Sequence, residues 1–184
     1  MMKKIELHKE IFLIEDFLTH EECKHYINAE LEKGFEEARV NIDGEQIMFK
    51  SIRNNERILF FDNELAASLF EKIKIFLPNN EDQFEAIGLN EMFRIYKYSK
   101  GERFKMHRDG SFNRNEKEQS RYSLIIYLND DFEGGQTEFR DLFKVEPKIG
   151  TALCFKHPYK HEGKLIRNGN KYVLRTDVMF RKKD

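Results

Sequence analysis

The chain has 184 residues, enough for one domain burying roughly 70% of its unfolded surface but cramped for two. Thirty-two basic and 33 acidic residues leave a formal net charge of −1, and their interspersion gives no basic stripe for a phosphate backbone or an anionic membrane. Two cysteines, Cys23 and Cys154, are too few for a disulfide scaffold and fit a reducing, cytoplasmic setting. The N-terminal "MMKKIELHKE" lacks the apolar run of an export signal, and "IFLIEDFL" is far shorter than the ~20 residues that span a bilayer. A single domain over 1–184 is expected, with residues 1–89 as helical support and edge strands and 90–181 as a β core.

In chain order, "IFLI" (11–14) reads as a short buried strand. In the next segment Thr19 and Glu22 have the spacing of a capping box. Cys23, Tyr26, Ile27 and Leu31 then fall on one helical face, and Gly34 closes the helix. Residues 39–57 predict two strands around an Asp43-Gly44 turn, ending in the polar run "RNNER". "DNELAASLFEKIKIFLP" predicts a second helix, stopped before Pro78.

After residue 90 short apolar runs alternate with turn signals: "MFRIYKY", "YSLIIYLN", "GGQTEFR", "TALCFKH" and "KYVLRTDVMF". Helices followed by at least five strands predict helices packed outside a sandwich-like or barrel-like core. The segment "GSFNRNEKEQS" (110–120) is too polar for a strand, so a loop is expected there. It and residues 41–55 are candidate substrate loops.

Within "RFKMHRDGSF" (103–112), strand alternation puts His107 and Asp109 on one side and Arg108 on the other. Alone, the pair reads first as a surface histidine beside a turn-forming Asp-Gly. His161, 52 positions after Asp109, changes the balance. Two imidazoles and one carboxylate are the donor set that holds non-haem Fe(II) and leaves coordination positions open, with zinc as the competing ion. Lys171 stands ten residues past His161, across Asn168-Gly169. A two-residue turn there would put Lys171 on the face opposite His161. A three-residue Asn-Gly-Asn loop would pair Arg167 with Lys171 and bring both to one face, and this loop is predicted.

At this point the chain resembles the iron(II)- and 2-oxoglutarate-dependent dioxygenases, in their prolyl 4-hydroxylase-like branch. The likeness runs through "RIYKYSKGERFKMHRDG", "YSLIIYLNDDFEGGQTEF", "VEPKIGTALCFKH" and "HEGKLIRNGNKYVLRTDVMF", and more thinly through "EDFLTHEECKHYI". It implies an α+β, mainly β fold: a double-stranded β-helix, or jelly roll, flanked by N-terminal helices. It further implies Fe(II) held by His107, Asp109 and His161, and a distal 2-oxoglutarate carboxylate held by Lys171, as in collagen-type hydroxylases. Tyr98 and, by alternation, Tyr96 would lie near the co-substrate. Relatives often carry a tyrosine where this chain has Phe104, and a threonine where it has Ser123. Gly134, Gly135 and Thr137 are read as a tight turn with no chemistry. Arg175 either lines the cavity or pairs at the barrel edge.

The activity so implied is hydroxylation of an unactivated C–H, most favourably a prolyl or other side chain of a peptide or protein. 2-Oxoglutarate and dioxygen are co-substrates, succinate and CO2 are products, and ascorbate is an accessory reductant; neither nucleic acid nor membrane is a partner. Hydroxylation of a free small molecule would use the same metal site. A cupin-like metal module without turnover would need the three donors but not Lys171, and a pure interaction domain would need neither.

Overall fold

The computed structural model describes residues 1–31, 34–37, 40–42, 45–47, 54–78 and 83–183. The strands and helices in chain order are β1 (Lys3–His8), β2 (Ile11–Glu15), α1 (His20–Leu31), β3 (Glu36–Glu37), β4 (Val40–Ile42) and β5 (Glu45–Ile47). There follow β6 (Glu56–Phe61), α2 (Asn63–Ile73), β7 (Phe84–Leu89), β8 (Met92–Tyr98), β9 (Phe104–His107) and β10 (Glu118–Tyr127). The last are β11 (Glu133–Gly134), β12 (Thr137–Phe139), β13 (Lys144–Val145), β14 (Ala152–Lys156), β15 (His161–Gly163), β16 (Ile166–Asn168) and β17 (Lys171–Lys182).

Both helices start as their sequences dictate. The Thr19 N–H donates to the Glu22 carboxylate at 2.7 Å and the Glu22 N–H to Thr19 Oγ1 at 3.1 Å, closing the expected capping box. Asp62 caps α2 by accepting from the Leu65 N–H at 2.8 Å. α2 ends in a single 3₁₀ turn, Lys74–Phe76, ahead of Pro78. None of the described helices is long and apolar enough to cross a membrane.

A nine-stranded antiparallel sheet runs β1-β2-β14-β10-β17-β8-β6-β3, with β7 also on β17. A four-stranded sheet, β13-β12-β15-β9, faces it, and β11 pairs with β16. Period-two alternation splits the large sheet's side chains between two cores. Phe93, Ile95, Leu124, Ile126, Cys154, Leu174, Val178 and Phe180 point outward and pack with Cys23, Ala66, Leu69 and Ile73 of the helices. Tyr96, Tyr98, Tyr127, Leu153, Phe155 and Val173 point inward and meet Phe139, Val145 and Ile166 from the facing strands. Helices cover one face and a second sheet covers the other, which is the jelly roll the resemblance implied.

β1, β2, β6 and β7 of the first half complete the large sheet. Two expectations need correcting. Asn168-Gly169-Asn170 is not a hairpin loop, because β16 pairs with β11 while β17 pairs with β10, β8 and β7. That loop carries the chain from one sheet to the other, so Arg167 and Lys171 share no register. The polar run 110–120 is strand from Glu118 onward and is tied down before it, Arg114 gripping the Glu91 carboxylate at 2.7 and 2.8 Å. β4 and β5 do pair, Val40 opposite Ile47, but their Asp43-Gly44 turn and most of 41–55 lie outside the described residues.

Candidate active site

β15 lies antiparallel to β9 with His161 directly opposite His107, which makes the two imidazoles cross-strand neighbours with ring centroids 4.3 Å apart. Asp109 follows where the chain leaves β9. Its Oδ1 is 3.5 Å from His107 Nε2 and its Oδ2 is 3.6 Å from His161 Nε2. One donor atom from each of the three lies within 4.8 Å of the others. Arg108 turns away and donates to the Pro158 carbonyl at 3.0 Å, as alternation predicts.

Both rings are oriented from behind. His107 Nδ1 sits 2.7 Å from the Lys105 carbonyl and His161 Nδ1 3.1 Å from the Tyr159 carbonyl. A carbonyl only accepts, so each Nδ1 carries the hydrogen and each Nε2 keeps its lone pair for an ion. Burial pushes His161 down to about 4, so it is neutral at physiological pH. Burial alone would raise the Asp109 carboxyl, but Arg175 and the two histidines hold it well below the usual carboxylate range. The site therefore offers neutral His161 and an ionised carboxylate before any ion arrives. Phe104 lies flat on His107, with centroids 3.5 Å apart and planes inclined by 15°. It supplies a stacking wall beside the donors.

Lys171 opens β17 opposite Tyr98 and lines the same cleft as the three donors, along with Tyr96, Tyr98, Ile125, Thr137 and Arg175. It is 4% exposed. Its Nζ donates to the Gly135 carbonyl at 2.6 Å and lies 5.2 and 5.8 Å from the ring centres of Tyr127 and Tyr98. Among the described residues no carboxylate pairs with it, and burial pushes its ammonium down to about 7. An ammonium in such a place costs several kcal/mol unless an anion joins it. Tyr98 and Tyr96 line the cleft beside Lys171, and the Tyr96 hydroxyl oxygen accepts a hydrogen bond from Arg175.

Five groups were missed or undervalued. Ser123 Oγ donates to Asp109 Oδ2 at 2.6 Å. Gly135 supplies the carbonyl for Lys171 at φ +69°, where an added Cβ would strike Ile166 and Phe132. Thr137 lines the cleft and bonds the Tyr127 hydroxyl at 2.8 Å. Reading Gly135 and Thr137 as chemically silent is therefore corrected. Arg175 is not at a barrel edge but half-buried in the cleft, its Nη2 3.2 Å from Asp109 Oδ1 and 3.3 Å from Asp177 Oδ1, and Asp177 was not anticipated at all. A cue lay in the sequence: Lys171, Val173, Arg175 and Asp177 alternate onto one face of a single strand.

Known proteins share this arrangement in part. Residues 93–176 match the family described as the 2OG-Fe(II) oxygenase superfamily. Over that stretch the chain is similar to that superfamily, the 2-oxoglutarate-dependent dioxygenases, and it resembles prolyl hydroxylases among them. It is 26% identical over 159 residues to a mimivirus protein (Acanthamoeba polyphaga mimivirus) named "Putative prolyl 4-hydroxylase", the match covering 73% of this chain and 60% of that one. The chain thus spans less than two thirds of that relative. In fold it is similar to the viral collagen prolyl hydroxylase of Paramecium Bursaria Chlorella virus-1 solved with 2OG. There the TM-score is 0.66 and identity 23%, with 93% of this chain and 96% of that one covered. It is also similar to a Trichoplax adhaerens prolyl hydroxylase bound to a hypoxia inducible factor peptide fragment (TM-score 0.68, 17% identity, 92% and 83% covered).

Proposed function

We propose that the protein uses Fe(II) and 2-oxoglutarate to hydroxylate an unactivated C–H, with a prolyl side chain of a peptide or protein as the favoured target. The observation that carries this reading is the shared cleft: three convergent donors at one place and, on the same inner face, a buried ammonium with no carboxylate partner among the described residues. A metal-binding module without turnover has no use for that ammonium, whereas a dicarboxylate chelated at the metal by one end would meet it with the other. The donor set also suits zinc, but zinc gives no reason for Lys171. The peptide-bound prolyl hydroxylase among the structural neighbours supports a peptide target.

Bound iron would supply the redox chemistry, coupling dioxygen reduction and 2-oxoglutarate decarboxylation to oxygen insertion, so that R–H, 2-oxoglutarate and O2 become R–OH, succinate and CO2. The chain's own residues do the rest. His107, Asp109 and His161 hold the ion from one side. Lys171, steadied by the Gly135 carbonyl, binds and orients the distal carboxylate. Phe104, Ile125, Val173 and the two tyrosines keep water from the reacting groups. Ser123 fixes the Asp109 carboxylate, and Ser123→Ala is expected to weaken Mn(II) binding about tenfold, read from the free-ion paramagnetic resonance signal. The proposal as a whole is tested by succinate release against a panel of proline-containing peptides and free small molecules. Peptide-dependent succinate is expected. Uncoupled or absent turnover with every peptide, beside turnover of a small molecule, would remove the peptide assignment.

A further inference from the structure

Asp177 sits beside Asp109's environment without belonging to the donor set. On the ladder between β10 and β17 it is directly opposite Ser123, the residue that bonds Asp109. Both carboxylates are buried, their side chains 4% and 6% exposed. What lies between them is one guanidinium nitrogen, Arg175 Nη2, in reach of both. Arg94 Nη1 stands 4.0 Å from the other oxygen of Asp177, and His157 Nε2 3.6 Å from Oδ1.

Two carboxylates this close repel each other, and each is an oxygen donor a divalent ion accepts. We propose that Arg175 is a positioning residue that commits Asp109 to the metal and withholds Asp177 from it, which keeps the remaining coordination positions open for co-substrate and dioxygen. The inference rests on the iron and 2-oxoglutarate reading above. A guanidinium suits the task because it keeps its charge in every state and offers several fixed donors, here shared among Asp109, Asp177 and Tyr96. Without it the centre gains a net negative charge, and Asp177 is released to turn toward the ion. Metal would then bind at least as well, while 2-oxoglutarate would find fewer vacant positions.

The test uses the full chain with Arg175→Met, Asp177→Asn and the double substitution. Mn(II) affinity is read by paramagnetic resonance, and 2-oxoglutarate affinity by the visible charge-transfer band of the anaerobic Fe(II) protein. Arg175→Met is expected to hold Mn(II) as tightly as wild type, or tighter by on the order of tenfold, because a repelling charge has gone. Its 2-oxoglutarate affinity is expected to fall by about tenfold or more. The double variant, whose charge count equals that of wild type, is expected to recover 2-oxoglutarate affinity to within about threefold. A merely structural arginine would not leave Mn(II) affinity intact while 2-oxoglutarate affinity alone falls and recovers. Loss of Mn(II) binding in Arg175→Met, or a double variant as weak as the single one, overturns the proposal. If Arg175→Met does not fold, the double variant decides alone: near-wild-type 2-oxoglutarate affinity supports the proposal and loss overturns it. Wild type binding neither Mn(II) nor 2-oxoglutarate overturns the functional reading as well. Wild type binding both, with Arg175→Met indistinguishable from it, overturns only this inference.

Discussion

Lys171→Met is expected to yield a more stable protein that no longer binds 2-oxoglutarate. The ammonium is buried, its only described carboxylate-free contacts being the Gly135 carbonyl and two aromatic rings, and burial has brought it down to about 7 from the usual lysine range. Methionine removes the desolvation cost but leaves the Gly135 carbonyl unpaired, so the net gain is about 1–3 kcal/mol. The sign with pH is fixed by linkage. Between about pH 7 and the unfolded value near 10.4, the unfolded chain binds a proton at this position that the folded chain does not, so wild-type stability rises with pH across that window. The advantage of the variant should therefore be largest at and below pH 7 and shrink toward pH 10, as urea titrations at a series of pH values would show. Co-substrate affinity should fall on the order of 100-fold in the variant. In wild type it should weaken by up to about tenfold per pH unit above 7, because binding then requires proton uptake. A variant equal to wild type in 2-oxoglutarate titrations would show that the carboxylate is held elsewhere.

His161→Gln should abolish the rise in melting temperature that Mn(II) or Fe(II) gives the wild-type protein, since one of three donors is lost and affinity drops about 100-fold or more. Glutamine can still donate toward the Tyr159 carbonyl, so the fold should survive. The metal-free proteins should differ in acid. His161 has its folded value pushed by burial to about 4, below the unfolded value near 6.5. Its neutral form therefore contributes stability that is complete above pH 6.5 and is lost as pH falls toward 4. The loss amounts to about 3 kcal/mol, and the variant's stability should fall less steeply over that interval. Thermal melts between pH 4 and 8, with and without ion, check both halves. A metal-induced shift retained in the variant would remove His161 from the donor set.

What the sequence disclosed follows from the range over which each signal acts. His107 and Asp109 are two residues apart, and the pleat alone settles their common side. The capping box at Thr19 is equally local and forms as expected. Lys171 reached the cleft, but not by the hairpin its turn residues suggested: a jelly roll passes consecutive strands between sheets, and turn chemistry cannot say which sheet comes next. "ERILFF" escaped notice because its charged start hides a strand whose pairing partner, β8, supplies the context. Ser123 and Asp177 carry no motif. Their roles arise only when β10 and β17 lie side by side in one register, and that is a long-range fact.

β17 has a consequence for how this protein comes into being. It is the spine of the large sheet, pairing with β10 along one edge and with β8 and β7 along the other. It carries Lys171 and Arg175 to the cleft while plugging Leu174, Val178 and Phe180 into the helical layer. Until a ribosome has delivered these residues, neither core can close, and two unsatisfied strand edges stay available to wrong partners. Maturation should thus be all-or-none and slow, governed by closure of very distant chain segments.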